Sequence, residues 1–252
     1  MLRYTAPDGV QIAYYEWNTA GSGPPVVLQH GFAGTATSNW LTLGFVDALV
    51  GAGRRVIALD ARGHGQSDKP HDPALHGEDA MARDVMGVVD QLGITSYDLV
   101  GYSMGAIIAA AVAAQDARVR RLVIGGVGGY LVARARSTTR VAFNAALADA
   151  LDADDPSTIA DEVAVRLRAF AEFMQCDRRA LAALARSPCA RIALDRIAAP
   201  TLLVVGDADE LAIQPELLAQ AIPGARVELL AGDHLTVLRN AGYAAALVAF
   251  LS

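Results

Sequence analysis

Gly101-Tyr102-Ser103-Met104-Gly105 stands between the apolar run Tyr97-Asp98-Leu99-Val100 and the alanine-rich segment Ala106 to Ala114. That order reads as strand, turn, helix. A serine with glycine two residues to either side fits a strained strand-to-helix turn, in which only hydrogen side chains let the two backbones approach closely. Such a turn lifts Ser103 out at the carboxyl end of its strand. The same five residues also fit a plain helix start with Ser103 as the N-cap, so the flanking chain has to decide.

Toward the amino end, Val10 to Trp17 alternates apolar and polar residues and reads as a half-exposed strand, with Leu2 to Thr5 as its hairpin partner across Pro7-Asp8-Gly9. Pro25-Val26-Val27-Leu28-Gln29 and Arg55-Val56-Ile57-Ala58-Leu59 are continuously apolar, as strands buried on both faces must be. Helical spacing fills Asn39 to Val50 between them and Glu78 to Leu92 after them. Toward the carboxyl end, Arg121 to Gly125, Thr201 to Gly206 and Val227 to Leu230 are further strands. A last helix, about Ala241 to Leu251, puts Leu247, Phe250 and Leu251 on one face. Eight strands alternating with helices predict an α/β protein with a mostly parallel eight-stranded sheet flanked by helices.

The pattern changes between Tyr130 and Ala199, where helical segments (Thr138 to Leu151, Thr158 to Met174, Arg178 to Ala185) follow one another with no strand. Residues 130–199 are therefore expected to form a helical cap inserted into a core of residues 1–129 and 200–252. Asp154-Asp155-Pro156-Ser157 and Ser187-Pro188 are its expected corners, since proline disfavours helix in the residue before it. Gly125-Gly126-Val127-Gly128-Gly129 lacks the spacing of a dinucleotide loop and reads as a hinge for the cap.

The totals exclude several classes. The 252 residues are 53% hydrophobic and 19% charged, with a formal net charge of -6, and the basic residues are scattered, which argues against nucleic acid or an anionic membrane as partner. Cys176 and Cys189 are too few for a disulfide framework or a zinc site and are expected to be reduced thiols of a cytoplasmic protein. No 18-residue apolar run and no secretory leader is evident. No metal or nucleotide-phosphate motif is present, so no cofactor is implied and the expected partner is a small-molecule substrate, with the protein a monomer or small homo-oligomer.

Polar residues after strand ends carry the chemistry in open α/β sheets. A serine hydroxyl is nearly inert unless a base takes its proton, and of the five histidines His234, in Ala231-Gly232-Asp233-His234-Leu235 after the last strand, comes to the same edge as Ser103. An acid must hold the imidazole, and Gly206-Asp207-Ala208-Asp209 offers two. Asp207 at the strand end suits a turn cap, whereas Asp209 lies further out, toward the histidine loop. Backbone N–H donors for an oxyanion would come from Met104, next to the serine, and Phe32, in the His30-Gly31-Phe32 turn.

The order Ser103, Asp209, His234, each after its own strand, resembles the α/β-hydrolase superfamily over essentially the whole chain. The resemblance extends to His30-Gly31-Phe32, to the loop Asp60-Ala61-Arg62-Gly63-His64-Gly65-Gln66-Ser67 and to Gly206-x-x-Asp209. It is most similar to the small lid-bearing group of carboxylesterases, perhydrolases and carbon-carbon bond hydrolases. The resemblance implies a Ser103–His234–Asp209 triad and a structural role for His64. Asp233 departs from it, because the family more often has a small residue before the histidine. Ester hydrolysis through an acyl-enzyme is the expected reaction. Perhydrolysis is a further possibility, and cleavage of a carbon-carbon bond in a diketone or dienoate is the alternative, for which Arg134, Arg136, Arg140, Arg166 and Arg168 in the cap offer carboxylate ligands. Phe143, Phe170 and Phe173, with Phe32, would line an apolar acyl pocket. A ligand receptor on the same fold is the rival from a different class.

Overall fold

A computed structural model describes residues 1–133, 138–189 and 191–252. Its strands are β1 (Leu2–Thr5), β2 (Gln11–Trp17), β3 (Val26–Gln29), β4 (Val56–Leu59), β5 (Tyr97–Tyr102), β6 (Val119–Gly125), β7 (Thr201–Gly206) and β8 (Arg226–Leu230). They form one sheet in the order β1-β2-β4-β3-β5-β6-β7-β8. β2 pairs antiparallel with both β1 and β4, and every pairing from β4 through β8 is parallel.

The two sheet faces carry separate cores, which is why the central strands show no polar alternation. Val27, Ile57, Leu99, Leu122 and Leu203 face α2 (Glu78–Gln91) and α3 (Met104–Ala113), once α1 (Phe45–Gly51) has been placed on the other side. Their neighbours Val26, Leu28, Val56, Ala58, Val100, Val123, Leu202 and Val204 face α1 and the C-terminal helix Ala241–Leu251. Every residue of α3 from Gly105 to Ala113 is buried, and its small side chains let the helix lie close on the sheet. The expected single helix over Asn39 to Val50 is instead a wide turn, Thr37–Leu41, and then α1, because Gly44 at φ 80° interrupts the helical path between them.

Among the described residues only helices stand between Gly125 and Thr201: α4 (Tyr130–Ala133), α5 (Thr138–Asp152), α6 (Glu162–Phe173) and α7 (Arg178–Arg186), with short turns. Leu147, Ala148, Leu151, Ala171, Leu181, Ala182 and Ala185 from α5, α6 and α7 form a third cluster, into which Ala33 and Phe32 of the core insert. α8 (Pro215–Ala221) joins β7 to β8, and α9 (Ala241–Leu251) closes the chain. The 125–129 glycines differ from a free hinge. A Cβ on Gly125 would stand 2.0 Å from the Tyr243 hydroxyl and one on Gly128 2.0 Å from the Ile213 carbonyl, so close packing accounts for them.

Candidate active site

Strand register brings four loops to one edge of the sheet. Gln29 pairs with Gly101, so the turn after β3 lies beside the turn after β5. Gly206 pairs with Leu230, so the loops holding Asp209 and His234 also start side by side.

At the β5 turn Ser103 takes φ 52° and ψ −117°, a conformation that costs a residue with a side chain roughly 1–3 kcal/mol and that persists only where the surroundings impose it. Two glycines impose it here. A Cβ on Gly101 would lie 2.2 Å from the Gly105 carbonyl, and one on Gly105 would lie 2.1 Å from the Gln29 carbonyl, so strand and helix can approach only without side chains. Ser103 is then half-buried at the N-terminus of α3.

His234 Nε2 lies 3.0 Å from Ser103 Oγ, and its Nδ1 lies 2.8 Å from Asp209 Oδ2. A carboxylate only accepts, so Nδ1 carries the hydrogen and Nε2 is left to accept the serine hydroxyl. Asp209 is 5% exposed, and its other oxygen accepts the Leu211 N–H at 2.9 Å. Asp207 instead accepts the Gly232 N–H at 3.0 Å, clamping the acid loop to the histidine loop. Asp233, the residue unusual for the resemblance, accepts the N–H groups of Leu235 and Thr236, and these bonds hold its carboxyl below the usual range.

The turn after β3 is held donor by donor. Gly31 N–H goes to Asn39 Oδ1 at 3.1 Å, Ala33 N–H to His64 Nε2 at 3.1 Å and Ala36 N–H to Asp60 Oδ1 at 2.7 Å. Ala33 itself sits at φ 57°. Phe32 N–H lies between these occupied donors, and among the described residues neither it nor Met104 N–H is taken by a carbonyl or side chain. His64 Nδ1–H donates to the Arg62 carbonyl and His30 Nδ1–H to the Gly31 carbonyl, while His30 Nε2 accepts from Ala61 N–H. Burial, and then the neighbouring His30, push His64 down to about 3, and burial lowers His30 too. Both rings are neutral spacers between two loops. The part that Asn39 and Asp60 play in holding this turn escaped the sequence reading because their partners on it are backbone groups, which leave no residue-type signal.

The expected apolar pocket divides. Phe32, Phe143 and Phe170 gather half-buried on the cap cluster. Phe173 does not join them and is 81% exposed. The buried face of α6 is Ala164, Arg168 and Ala171, and a residue two beyond Ala171 points about 200° away from it. Arg168 is likewise not a free carboxylate ligand. It is 4% exposed, donates to the Ala150 and Ala153 carbonyls and pairs with Glu172 at 3.0 Å. Arg166 is exposed, whereas Arg134, Arg136 and the Arg140 side chain lie outside the described residues.

The profile of the alpha/beta hydrolase fold family matches residues 24–127. An enol-lactonase from Burkholderia xenovorans has a similar structure, at a TM-score of 0.74 and 26% identity over 99% of each chain. This chain has the α/β-hydrolase fold. The chain is 43% identical over 116 residues to an sn-1-specific diacylglycerol lipase of Xenopus laevis, covering 45% of this chain and 35% of the lipase. It is 40% identical over 111 residues to a 2-hydroxymuconate semialdehyde hydrolase of a Pseudomonas species, covering 44% of this chain and 38% of that enzyme. The matched stretches span 35% and 38% of these two enzymes, and epoxide hydrolases are also among the curated relatives, such as one of Siraitia grosvenorii that is covered over 27% of its length. No helix among the described residues is long and apolar enough to cross a membrane.

Proposed function

We propose that this α/β-hydrolase is a serine hydrolase that cleaves small-molecule carboxylic esters through an acyl-enzyme, with residues 130–199 as the cap over its site. The observation that carries this reading is the unbroken chain from Asp209 Oδ2 through His234 to Ser103 Oγ. His234 Nε2 takes the serine proton as Oγ attacks the ester carbonyl, and Asp209 steadies the imidazolium that forms. Phe32 and Met104 N–H groups receive the oxyanion, aided by the positive end of α3. The alkoxide leaves with the proton from His234. A water, deprotonated by the same imidazole, then releases the acid and restores Ser103. Serine at position 103 argues against epoxide opening by a nucleophilic carboxylate, even though epoxide hydrolases are among the relatives.

Likeness to the 2-hydroxymuconate semialdehyde hydrolase supports a second reading, carbon-carbon bond cleavage next to a ketone by the same three residues. A panel of p-nitrophenyl esters of increasing chain length, run beside one ring-cleavage dienoate, separates the two. Ester turnover at kcat/KM well above that of the dienoate is expected. A dienoate preferred by tenfold or more would overturn the ester reading.

A further inference from the structure

Residues of the β5 turn reach His234 at two points. Ser103 Oγ meets Nε2 at 3.0 Å, and the preceding residue, Tyr102, donates its hydroxyl hydrogen to the main-chain carbonyl of His234. The Tyr102 ring also lies beside the imidazole, with centroids 5.3 Å apart and planes 39° apart. Tyr102 is 2% exposed, and burial pushes its phenol well above the ordinary value, so the hydroxyl keeps its proton. Its seat is built for it. A Cβ on Gly125 would stand 2.7 Å from Tyr102 Cδ2, and Gly126, at φ 63°, would bring one 2.8 Å from Cζ and 2.9 Å from the hydroxyl oxygen. Tyr243 backs the ring at 6.2 Å.

The other bonds on this loop come from nearby in its own layer: Asp207 to Gly232 N–H, and Asp233 to Leu235 and Thr236 N–H. They give the loop its shape. The Tyr102 bond does something different, because it ties the loop across to the strand that carries Ser103. We propose that Tyr102 is a positioning residue for the base: by holding the His234 peptide to β5, its hydroxyl sets the Nε2–Oγ separation across which the serine proton leaves. This rests on the reading of Ser103 as nucleophile and His234 as base. A misplacement of about 1 Å costs on the order of 10²-fold in rate, and the Tyr102 ring and the remaining loop bonds would limit the drift to part of that.

Tyr102→Phe deletes one oxygen and keeps the ring. Assayed on a p-nitrophenyl ester well below its melting temperature, it is expected to lose about tenfold in kcat with KM within about twofold. The rate at which a fluorophosphonate modifies Ser103 should fall by the same factor. Tyr243→Phe is the control, since it removes a buried hydroxyl that has no partner among the described residues from the same aromatic stack, and its kcat should stay at the wild-type level. A Tyr102→Phe kcat within twofold of wild type would overturn the proposal, and so would an equal loss in Tyr243→Phe. Should circular dichroism show Tyr102→Phe unfolded, Gly126→Ala tests the same bond by pushing the hydroxyl off His234, and undiminished kcat there overturns it. A Ser103→Ala protein that still turns over would fault the underlying mechanism instead. An inactive Ser103→Ala beside a fully active Tyr102→Phe faults this inference alone.

Discussion

Asp207 and Asp209 stand two residues apart after the same strand, yet their carboxylates do different work. Asp209 is buried and meets His234 Nδ1 at 2.8 Å, whereas Asp207 is exposed and meets a backbone N–H of the facing loop. Exchanging Asp209→Asn keeps the shape but puts an amide where an acceptor holds the Nδ1–H, which disfavours the working tautomer and leaves the imidazolium without a counter-charge. A fall in kcat of about 10³–10⁴ is expected, with KM little changed. Asp207→Asn keeps an acceptor for Gly232 N–H and should stay within about tenfold of wild type. Steady-state kinetics of the two variants on one ester checks both. At this scale Ser103 and His234 were legible in the sequence, because the pattern around each is carried by residue types. Tyr102 was not, since its bond runs to a carbonyl 132 positions away and any residue type supplies a carbonyl.

Elements were legible wherever both faces of a strand are buried, because a run such as Val26-Val27-Leu28 has no other reading than a core strand. The helices between residues 130 and 199 were legible at nearly their observed bounds, and of the aromatic residues expected to line a pocket Phe143 and Phe170 are half-buried, while Phe173 is exposed. In α6 the fully buried face is Ala164, Arg168 and Ala171, with the two alanines small enough to let a neighbouring helix approach. Arg168 closes that contact by donating to two carbonyls at the end of α5. Arg168→Met would take this donor from the buried Ala150 carbonyl, while the Ala153 carbonyl keeps Arg178, and should lower stability by about 1–3 kcal/mol, read as a lower denaturant midpoint. Phe173→Ser, on the exposed side of the same helix, should change stability by no more than about 0.5 kcal/mol and leave kcat/KM for short esters unaltered. A Phe173→Ser variant that loses ester affinity would return that residue to the pocket.

For the molecule as a whole, the layer beneath the site has a pH cost. Burial holds His30, His64 and His76 below the ordinary histidine value, His64 down to about 3. The unfolded chain takes up protons on these groups as pH falls through about 6.5, and the folded chain does so only at lower pH, so stability is full above that pH and drains away below it. Each such histidine contributes a slope of up to about 1.4 kcal/mol per pH unit. Melting temperature should therefore drop steadily from pH 6.5 to 5, before most carboxylates titrate. His64→Gln should make that slope shallower by about a third, and a wild-type melting temperature flat over this range would contradict the assignment. The α/β class of the molecule was readable because buried strands that alternate with helices imply a mostly parallel sheet. The packing of α5, α6 and α7 against the turn after β3 was not, since it depends on contacts of Phe32 and Ala33 with segments far apart in sequence. The central claim is that Ser103 does the chemistry. Its most direct test is the initial rate of p-nitrophenyl acetate hydrolysis by Ser103→Ala against wild type, both shown folded by circular dichroism. A loss of at least about 10³-fold is predicted. A rate within tenfold of wild type would contradict it.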